Sequence, residues 1–310
     1  MRALVTGGTG FVGRWLLAHL EQVGDEAVVA APDVDVTDAA GVAEAVRAAR
    51  PEAVYHLAGL AHVGGSWERP QEYFRVNAGG TLNVLQAAAG VDPPPTVLLV
   101  SSAEVYGAVT PDRLPLGEDA PLRPVSPYAA GKAAAELLGV QAHLGQGVPV
   151  VRARPFNHAG PGQAPTFVVP ALARRIVAAQ RDGTRALPVG NLSPRRDLLD
   201  VRDVVRAYRL LVVSGQAGEV YNVCSGRDVA VEELVGRLLA LAGADLDVVA
   251  DPALVRPVDV PVLRGDPSRL RQATGWAPAV SLDDTLAAVL DEARAEVAGR
   301  VSASRPGPAS

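Results

Sequence analysis

The chain opens on an apolar triplet, Ala3-Leu4-Val5, which reads as a short strand. The amphipathic stretch 12–23 behind it reads as a helix. The alternation continues with a strand at 26–31, a helix at 39–49 and a strand at 53–57. Residues 70–90 carry one long helical pattern, with Phe74, Leu82, Val84 and Leu85 at helical spacing. Segment 96–101 is apolar almost throughout, as expected of a strand covered on both faces. A helix at 127–144 and a strand at 148–153 follow. Strands alternating with helices predict an α/β fold, a doubly wound parallel sheet with helices on both sides.

After Pro155 the pattern changes. Pro155, Gly160, Pro161, Gly162 and Pro165 break the rhythm before helices return at 170–180, 201–213, 231–242 and 282–298. Short extended pieces at 220–223, 247–250 and 262–263 separate them. This predicts a smaller α/β lobe built from 156–194 and 226–298, set on a first domain of 1–155 that segment 195–225 rejoins. The Gly/Pro/Ser-rich end, 299–310, reads as a flexible tail.

Composition narrows the function. With 48% apolar and 20% charged residues the chain is typical of soluble globular proteins. A net charge of -5 with scattered arginines argues against nucleic-acid binding. A single cysteine, Cys224, excludes an intrachain disulfide and reads as a small buried apolar residue. No apolar run has the length of a bilayer span, so no membrane partner is expected. The chain starts directly on a strand, so no signal peptide is expected and the cytoplasm is the default location. His62, His143 and His158 lack metal-ligand spacing, and no metal is expected. Trp15, Trp67 and Trp276 are expected to pack rather than to stack on a ligand.

Two short signals carry the chemistry. Gly7-Gly8-Thr9-Gly10-Phe11-Val12-Gly13 lies between the first strand and the first helix. A diphosphate can reach such a turn because no side chain blocks it, and the amides at the helix start point toward it. The glycines are expected to divide the work: Gly7 for the turn, Gly10 for close backbone approach and Gly13 for helix–sheet contact. The second signal is Tyr128-Ala129-Ala130-Gly131-Lys132, with Ser102 just past the apolar strand. Tyr128 and Lys132 are spaced to share one helix face. A phenol is a poor base at neutral pH, and a nearby ammonium favours its ionised form. Ser102 can hydrogen-bond a substrate oxygen while Tyr128 exchanges its proton.

In this order, the glycine turn, Ser102 and Tyr128-x-x-x-Lys132 resemble the extended short-chain dehydrogenase/reductase family of nucleotide-sugar epimerases and dehydratases. The resemblance runs to about residue 298. It includes His56-Leu57-Ala58-Gly59, the Asn-x-x-Gly-Thr pattern at Asn77 and the segment Arg154-Pro155-Phe156-Asn157. It implies NAD(H) or NADP(H) held by Gly7, Gly10, Phe11, Val12, Gly13, Leu57, Ala58, Gly59 and Asn77, together with Tyr128 and Lys132. Asp33 is the candidate partner for the adenosine ribose, with Asp35 near the adenine. Arg14 is an alternative contact for a 2′-phosphate. The family pairs helices like those at 70–90 and 127–144 across a twofold axis, so a homodimer is expected.

The second half is similar to the GDP-mannose branch of that family. Gly160-Pro161-Gly162-Gln163, the segment from Gly190 to Asp197, and Arg256-Pro257-Val258-Asp259 followed by Gly265-Asp266 carry the likeness. It implies a nucleotide-sugar substrate, preferably a GDP-sugar, contacted by Asn157, Arg196 and Arg256. Dehydratases of the branch carry a polar residue at the place of Ala103 and a Glu at the next, matched by Glu104. Ala103 offers no exchangeable proton for elimination, whereas Glu104 can still act as a base. The long dehydratase start is also lacking. The resemblance therefore implies reduction of the C4 ketone of GDP-4-keto-6-deoxymannose, with Ser102, Tyr128, Lys132 and Glu104 as candidate catalytic residues. A 4,6-dehydratase, a 4-epimerase and a nonenzymatic dinucleotide-binding regulator are the alternatives.

Overall fold

The structure, a computed structural model, describes residues 1–30, 34–254 and 260–303, with side chains through 298. Strands β1 (Arg2–Thr6), β2 (Glu26–Val29), β3 (Ala53–His56), β4 (Thr96–Val100) and β5 (Val150–Pro155) form the first part of the chain. Between them lie helices α1 (Phe11–Gln22), α2 (Ala39–Ala49), α3 (Gly65–Glu68), α4 (Pro70–Phe74), α5 (Gly80–Ala89) and α6 (Pro127–Gln146). Then come β6 (Asn157–Ala159), α7 (Val168–Asp182), β7 (Ala186–Val189), β8 (Arg195–Asp200), α8 (Val201–Ser214) and β9 (Val220–Val223). The chain closes with β10 (Asp228–Ala230), α9 (Val231–Ala242), β11 (Asp247–Ala250), β12 (Val262–Leu263), α10 (Ser268–Thr274) and α11 (Leu282–Ala303).

The main sheet runs β2-β1-β3-β4-β5-β9, with every pairing parallel. Its register sorts side chains onto two faces. Val5, Tyr55, Leu98 and Val151 are neighbours across the strands and share one core with Leu16 of α1 and Val204, Tyr208 and Leu211 of α8. One residue back, Leu4, Val54, Val97 and Val150 share the opposite core with α2, α5 and α6. The side-chain period of 2 sends successive apolar residues into both layers, so β4 tolerates no polar position inside it. The order of strand addition reverses between β1 and β3, whose carboxyl ends open a crevice where open α/β sheets bind ligands.

The second lobe has its own sheet, β10-β8-β12 with β6 beside β8, and a separate β7–β11 pair. Its core lies among α7, α9 and α11. The doubly wound parallel sheet and the smaller α/β lobe match the sequence reading. The helical stretch expected over 70–90 is present and continuous, but it carries a wide π turn at Arg75–Gly79 between α4 and α5. Helical spacing of apolar residues cannot reveal one extra residue per turn, and such turns concentrate at functional positions.

Candidate active site

The turn after β1 is built by its glycines. Gly7 has a φ of +71°, and a Cβ there would lie 2.7 Å from the Ala58 amide nitrogen. Gly13 is tighter still, since its Cβ would sit 2.2 Å from the Gly7 carbonyl oxygen. Gly10 caps α1 without any side-chain hydrogen bond, and its only near neighbour is the Gly7 oxygen at 3.2 Å. The helix start is therefore bare of side chains, leaving its amides for an anion.

Around this turn lies a cleft of about 290 Å³. Gly7, Gly10, Phe11, Val12, Gly13, Leu57 and Gly59 form one wall, and Ser102, Glu104, Tyr128 and Lys132 the other. Asn157 closes it from the second lobe beside Phe156, His158 and Leu263. Ala58 and Asp35 line an adjoining hollow with Gly7, Thr9, Val29 and Val34. Asp35 holds the Thr37 amide and hydroxyl at 2.9 and 2.8 Å, which keeps its carboxyl below the usual range. Asn77 faces the loop after β3 instead of open space: its Oδ1 accepts from the Leu60 amide at 2.8 Å and its Nδ2 donates to the Leu60 carbonyl at 3.1 Å. The π turn thus fixes one wall of the cleft.

Not every expected residue joins. Arg196 sits on β8 and donates to the Val260 carbonyl at 2.7 Å; its strand partner Leu263 reaches the cleft, whereas Arg196 is not among the lining residues. Asp33 and Arg256 fall outside the described residues. Arg14 reaches the Gly162 carbonyl at 3.4 Å, and Trp15 Nε1 donates to the Pro161 carbonyl at 2.9 Å, so the Gly160–Gln163 loop is laid against α1. Trp276 is buried as expected, but Trp67 stands half exposed, a correction to its reading as a packing residue. Cys224 is fully buried, and burial pushes its thiol far up.

Helix α6 presents the proton-transfer candidates. Ser126 caps it by accepting from the Ala129 amide at 3.1 Å, and Pro127 opens its first turn. Tyr128 is buried, and burial pushes its phenol up to about 12. Ser102 hydrogen-bonds it and pulls the other way, while the negative charge of Glu104 raises it further. Out of water, the phenol stays neutral. Burial lowers the Lys132 ammonium itself to about 8, and its Nζ donates to the Val100 carbonyl at 2.8 Å. The sequence holds no other lysine.

Two buried networks support the cleft, and the sequence reading had not assembled either. His56 bridges Thr6 Oγ1 at 2.8 Å and Thr81 Oγ1 at 3.0 Å, and burial drops it to about 3, so it is neutral. It ties β1, β3 and α5 together behind the glycine turn. Glu136, four residues after Lys132, pairs with Arg154 of β5, and Arg154 Nη1 continues to Tyr106 Oη at 2.9 Å. The i, i+4 spacing from Lys132 was the available signal for Glu136.

The sequence model of a family described as GDP-mannose 4,6 dehydratase matches residues 31–289. The chain belongs to this family of extended short-chain dehydrogenase/reductases. Among its relatives, GDP-6-deoxy-D-mannose reductase of Pseudomonas aeruginosa is 39% identical over 295 residues, covering 94% of this chain and 96% of that protein. A dTDP-glucose 4,6-dehydratase of Streptomyces griseus is 33% identical, covering 93% of this chain and 92% of that one. The solved structure of RMD from Pseudomonas aeruginosa complexed with NADPH superposes with a TM-score of 0.88 at 36% identity, covering 96% of this chain and all of that one. The family and fold expected from the glycine turn and the Tyr128/Lys132 pair are thereby established.

Proposed function

We propose that this protein is an NAD(P)H-dependent nucleotide-sugar reductase that reduces the C4 ketone of GDP-4-keto-6-deoxymannose. The observation that carries the reading is the joining of a bare glycine turn to a neutral, buried Tyr128 beside Ser102 in one cleft. The likeness to GDP-6-deoxy-D-mannose reductase over nearly the whole chain supports the choice of substrate.

The cleft suits a dinucleotide. Gly7 and Gly13 pack against backbone, Gly10 leaves the start of α1 open to a diphosphate, and Asp35 lines the hollow that would take the adenosine end. A reduced nicotinamide, when bound, supplies the hydride. Ser102 donates a hydrogen bond to the substrate carbonyl oxygen and orients it. Tyr128 Oη then gives its proton to that oxygen, and a neutral phenol is the form that reduction needs. Lys132, anchored on the Val100 carbonyl, contacts the ribose and stabilises the phenolate left behind. Asn157 reaches the sugar nucleotide from the second lobe and Arg256 is its guanidinium partner for the phosphates, whereas Arg196 joins them only by turning away from the Val260 carbonyl. Ala103 is fully buried and has no exchangeable proton, which disfavours loss of the 6-hydroxyl.

The finer readings share that basis. GDP is the preferred nucleotide, and the protein works in the cytoplasm; among the described residues no helix is long and apolar enough to cross a membrane. A homodimer forms through α4 and α6, where Phe74, Leu137 and Leu144 stand 55, 66 and 78% exposed. Light scattering of the purified protein checks the last point, with a monomer at all concentrations as the contrary result. The activity is tested by supplying the keto sugar with NADH or NADPH and following oxidation of the cofactor. Turnover of GDP-mannose without net oxidation would place the protein with the dehydratases instead.

A further inference from the structure

Two buried tyrosines of the core that α1 and α8 share with the main sheet carry hydroxyls with no hydrogen-bond partner among the described residues, Tyr55 and Tyr208. Their surroundings differ. Tyr55 lies in β3, and its hydroxyl is sealed inside the protein. Tyr208 lies in α8 and is 1% exposed, yet it lines the cleft and its hydroxyl is not sealed. An unpaired buried hydroxyl costs stability, so one that opens on a ligand cleft asks for a partner on the ligand.

The packing explains where Tyr208 opens. Helix α8 begins beside the glycine turn: a Cβ on Gly160 would lie 2.6 Å from Val201 Cγ1 and 3.8 Å from Phe11 Cζ. A long side chain on a helix leans back toward the helix start, so Tyr208 reaches from the middle of α8 toward that end. It shares its core with Val12, Leu57 and Val100, which are partly buried and also line the cleft. The hydroxyl therefore meets the cleft from beneath, on the side of the glycine turn. Burial pushes the phenol far up, so it is neutral and can donate. The polar groups of the facing wall do not take it. Ser102 bonds Tyr128, Lys132 bonds the Val100 carbonyl, and Glu104 is engaged elsewhere.

We propose that Tyr208 is a dinucleotide-binding residue, its hydroxyl donating a hydrogen bond to an oxygen of NAD(P)H from the floor of the cleft. The proposal rests on the dinucleotide reading of the glycine turn. A dinucleotide presents diphosphate and ribose oxygens to that side, all of them acceptors. Asn157, which closes the cleft from the second lobe, lies with the groups assigned to the sugar nucleotide. Tyr208 comes instead from the α1 side, with Val12 and Leu57.

Tyr208→Phe removes the hydroxyl and leaves the ring in the core. Fluorescence titration of the full-length variant is expected to show NADPH or NADH, whichever the parent binds more tightly, held about five- to tenfold more weakly, the scale of one hydrogen bond. Thermal unfolding of the ligand-free variant is expected at or above the parental midpoint, because an unpaired donor has gone. The rise in midpoint on adding the dinucleotide shrinks accordingly. Tyr55→Phe is the control: it removes the sealed hydroxyl, and its midpoint holds or rises while its affinity stays parental. Affinity of Tyr208→Phe within about twofold of the parent would overturn the proposal. So would an equal weakening in Tyr55→Phe. A lowered midpoint of ligand-free Tyr208→Phe would also overturn it, by giving the hydroxyl a partner inside the protein. A parent that binds neither dinucleotide would defeat the reading of the glycine turn, and the proposal with it.

Discussion

Glycine turns can be read as mere fold punctuation or as a ligand cradle, and Gly10 and Gly13 separate the two. At Gly13 a methyl would lie 2.2 Å from the Gly7 oxygen and 2.7 Å from Gly8 Cα, all backbone. Ordinary contact begins at 3.4 Å, so the turn must open by the 1.2 Å difference. Overpacking of this kind costs about 1–3 kcal/mol, only part of which the helix propensity of alanine offsets. Gly13→Ala should therefore lose both stability and dinucleotide affinity. At Gly10 the methyl meets one atom at 3.2 Å and otherwise faces the cleft. Gly10→Ala should keep its unfolding midpoint, since a few tenths of an ångström of relaxation suffices. It should nevertheless weaken NAD(P)H binding at least tenfold, about 1.4 kcal/mol, because the methyl stands where a diphosphate would approach the α1 amides. Gly236→Ala, in α9 with nothing within 4 Å, is the control and should leave affinity unchanged. Fluorescence titration with NADPH and NADH reads affinity, and thermal unfolding reads stability. Parental affinity in a folded Gly10→Ala protein would refute the assignment of this turn to the dinucleotide.

Tyr128→Phe should lower turnover by about 10²–10⁴-fold with dinucleotide affinity nearly intact, and equal activity would remove Tyr128 as proton donor. Asn77→Ala strands the Leu60 amide and carbonyl and should cost about 1–3 kcal/mol for each group that stays buried, read by chemical denaturation. His56 is held neutral, with its pKa lowered from 6.5 to about 3. Its contribution is therefore complete above pH 6.5 and lost as pH falls toward 3, at up to about 1.4 kcal/mol per unit. His56→Gln should flatten the fall in stability between about pH 6.5 and about pH 5, while His158, also lowered by burial, leaves a residual slope. A slope equal to that of the parent would reassign the acid sensitivity.

Much of this was legible in the chain. Apolar runs such as 96–100 can only be strands buried on both sides, and the sorting of Val97, Leu98 and Leu99 onto alternate cores bears that out. The glycine turn and the Tyr128/Lys132 spacing located the cleft because each needs only local geometry. Long-range pairings were illegible. Glu136 and Arg154 meet only because α6 packs against β5, and Asn77 reaches Leu60 only through a π turn that apolar periodicity does not encode. Strands β6, β7, β8 and β10 escaped notice because they are short and rich in polar residues or Pro. The motif suggests Arg196 as a phosphate ligand but does not reveal its bonds to the Val260 carbonyl at 2.7 Å and the Arg195 carbonyl at 3.0 Å. A guanidinium's direction follows from tertiary packing that sequence spacing leaves open.

One assay bears most directly on the central claim. Purified protein is given GDP-4-keto-6-deoxymannose with NADPH or NADH, and GDP-mannose alone in parallel, while cofactor absorbance is followed and the products are identified by NMR. The reductase reading predicts oxidation of one cofactor molecule per keto sugar, a GDP-6-deoxyhexose as product, and no change in GDP-mannose. Conversion of GDP-mannose to the keto sugar with no net oxidation would contradict it and make Glu104 the base of a dehydratase.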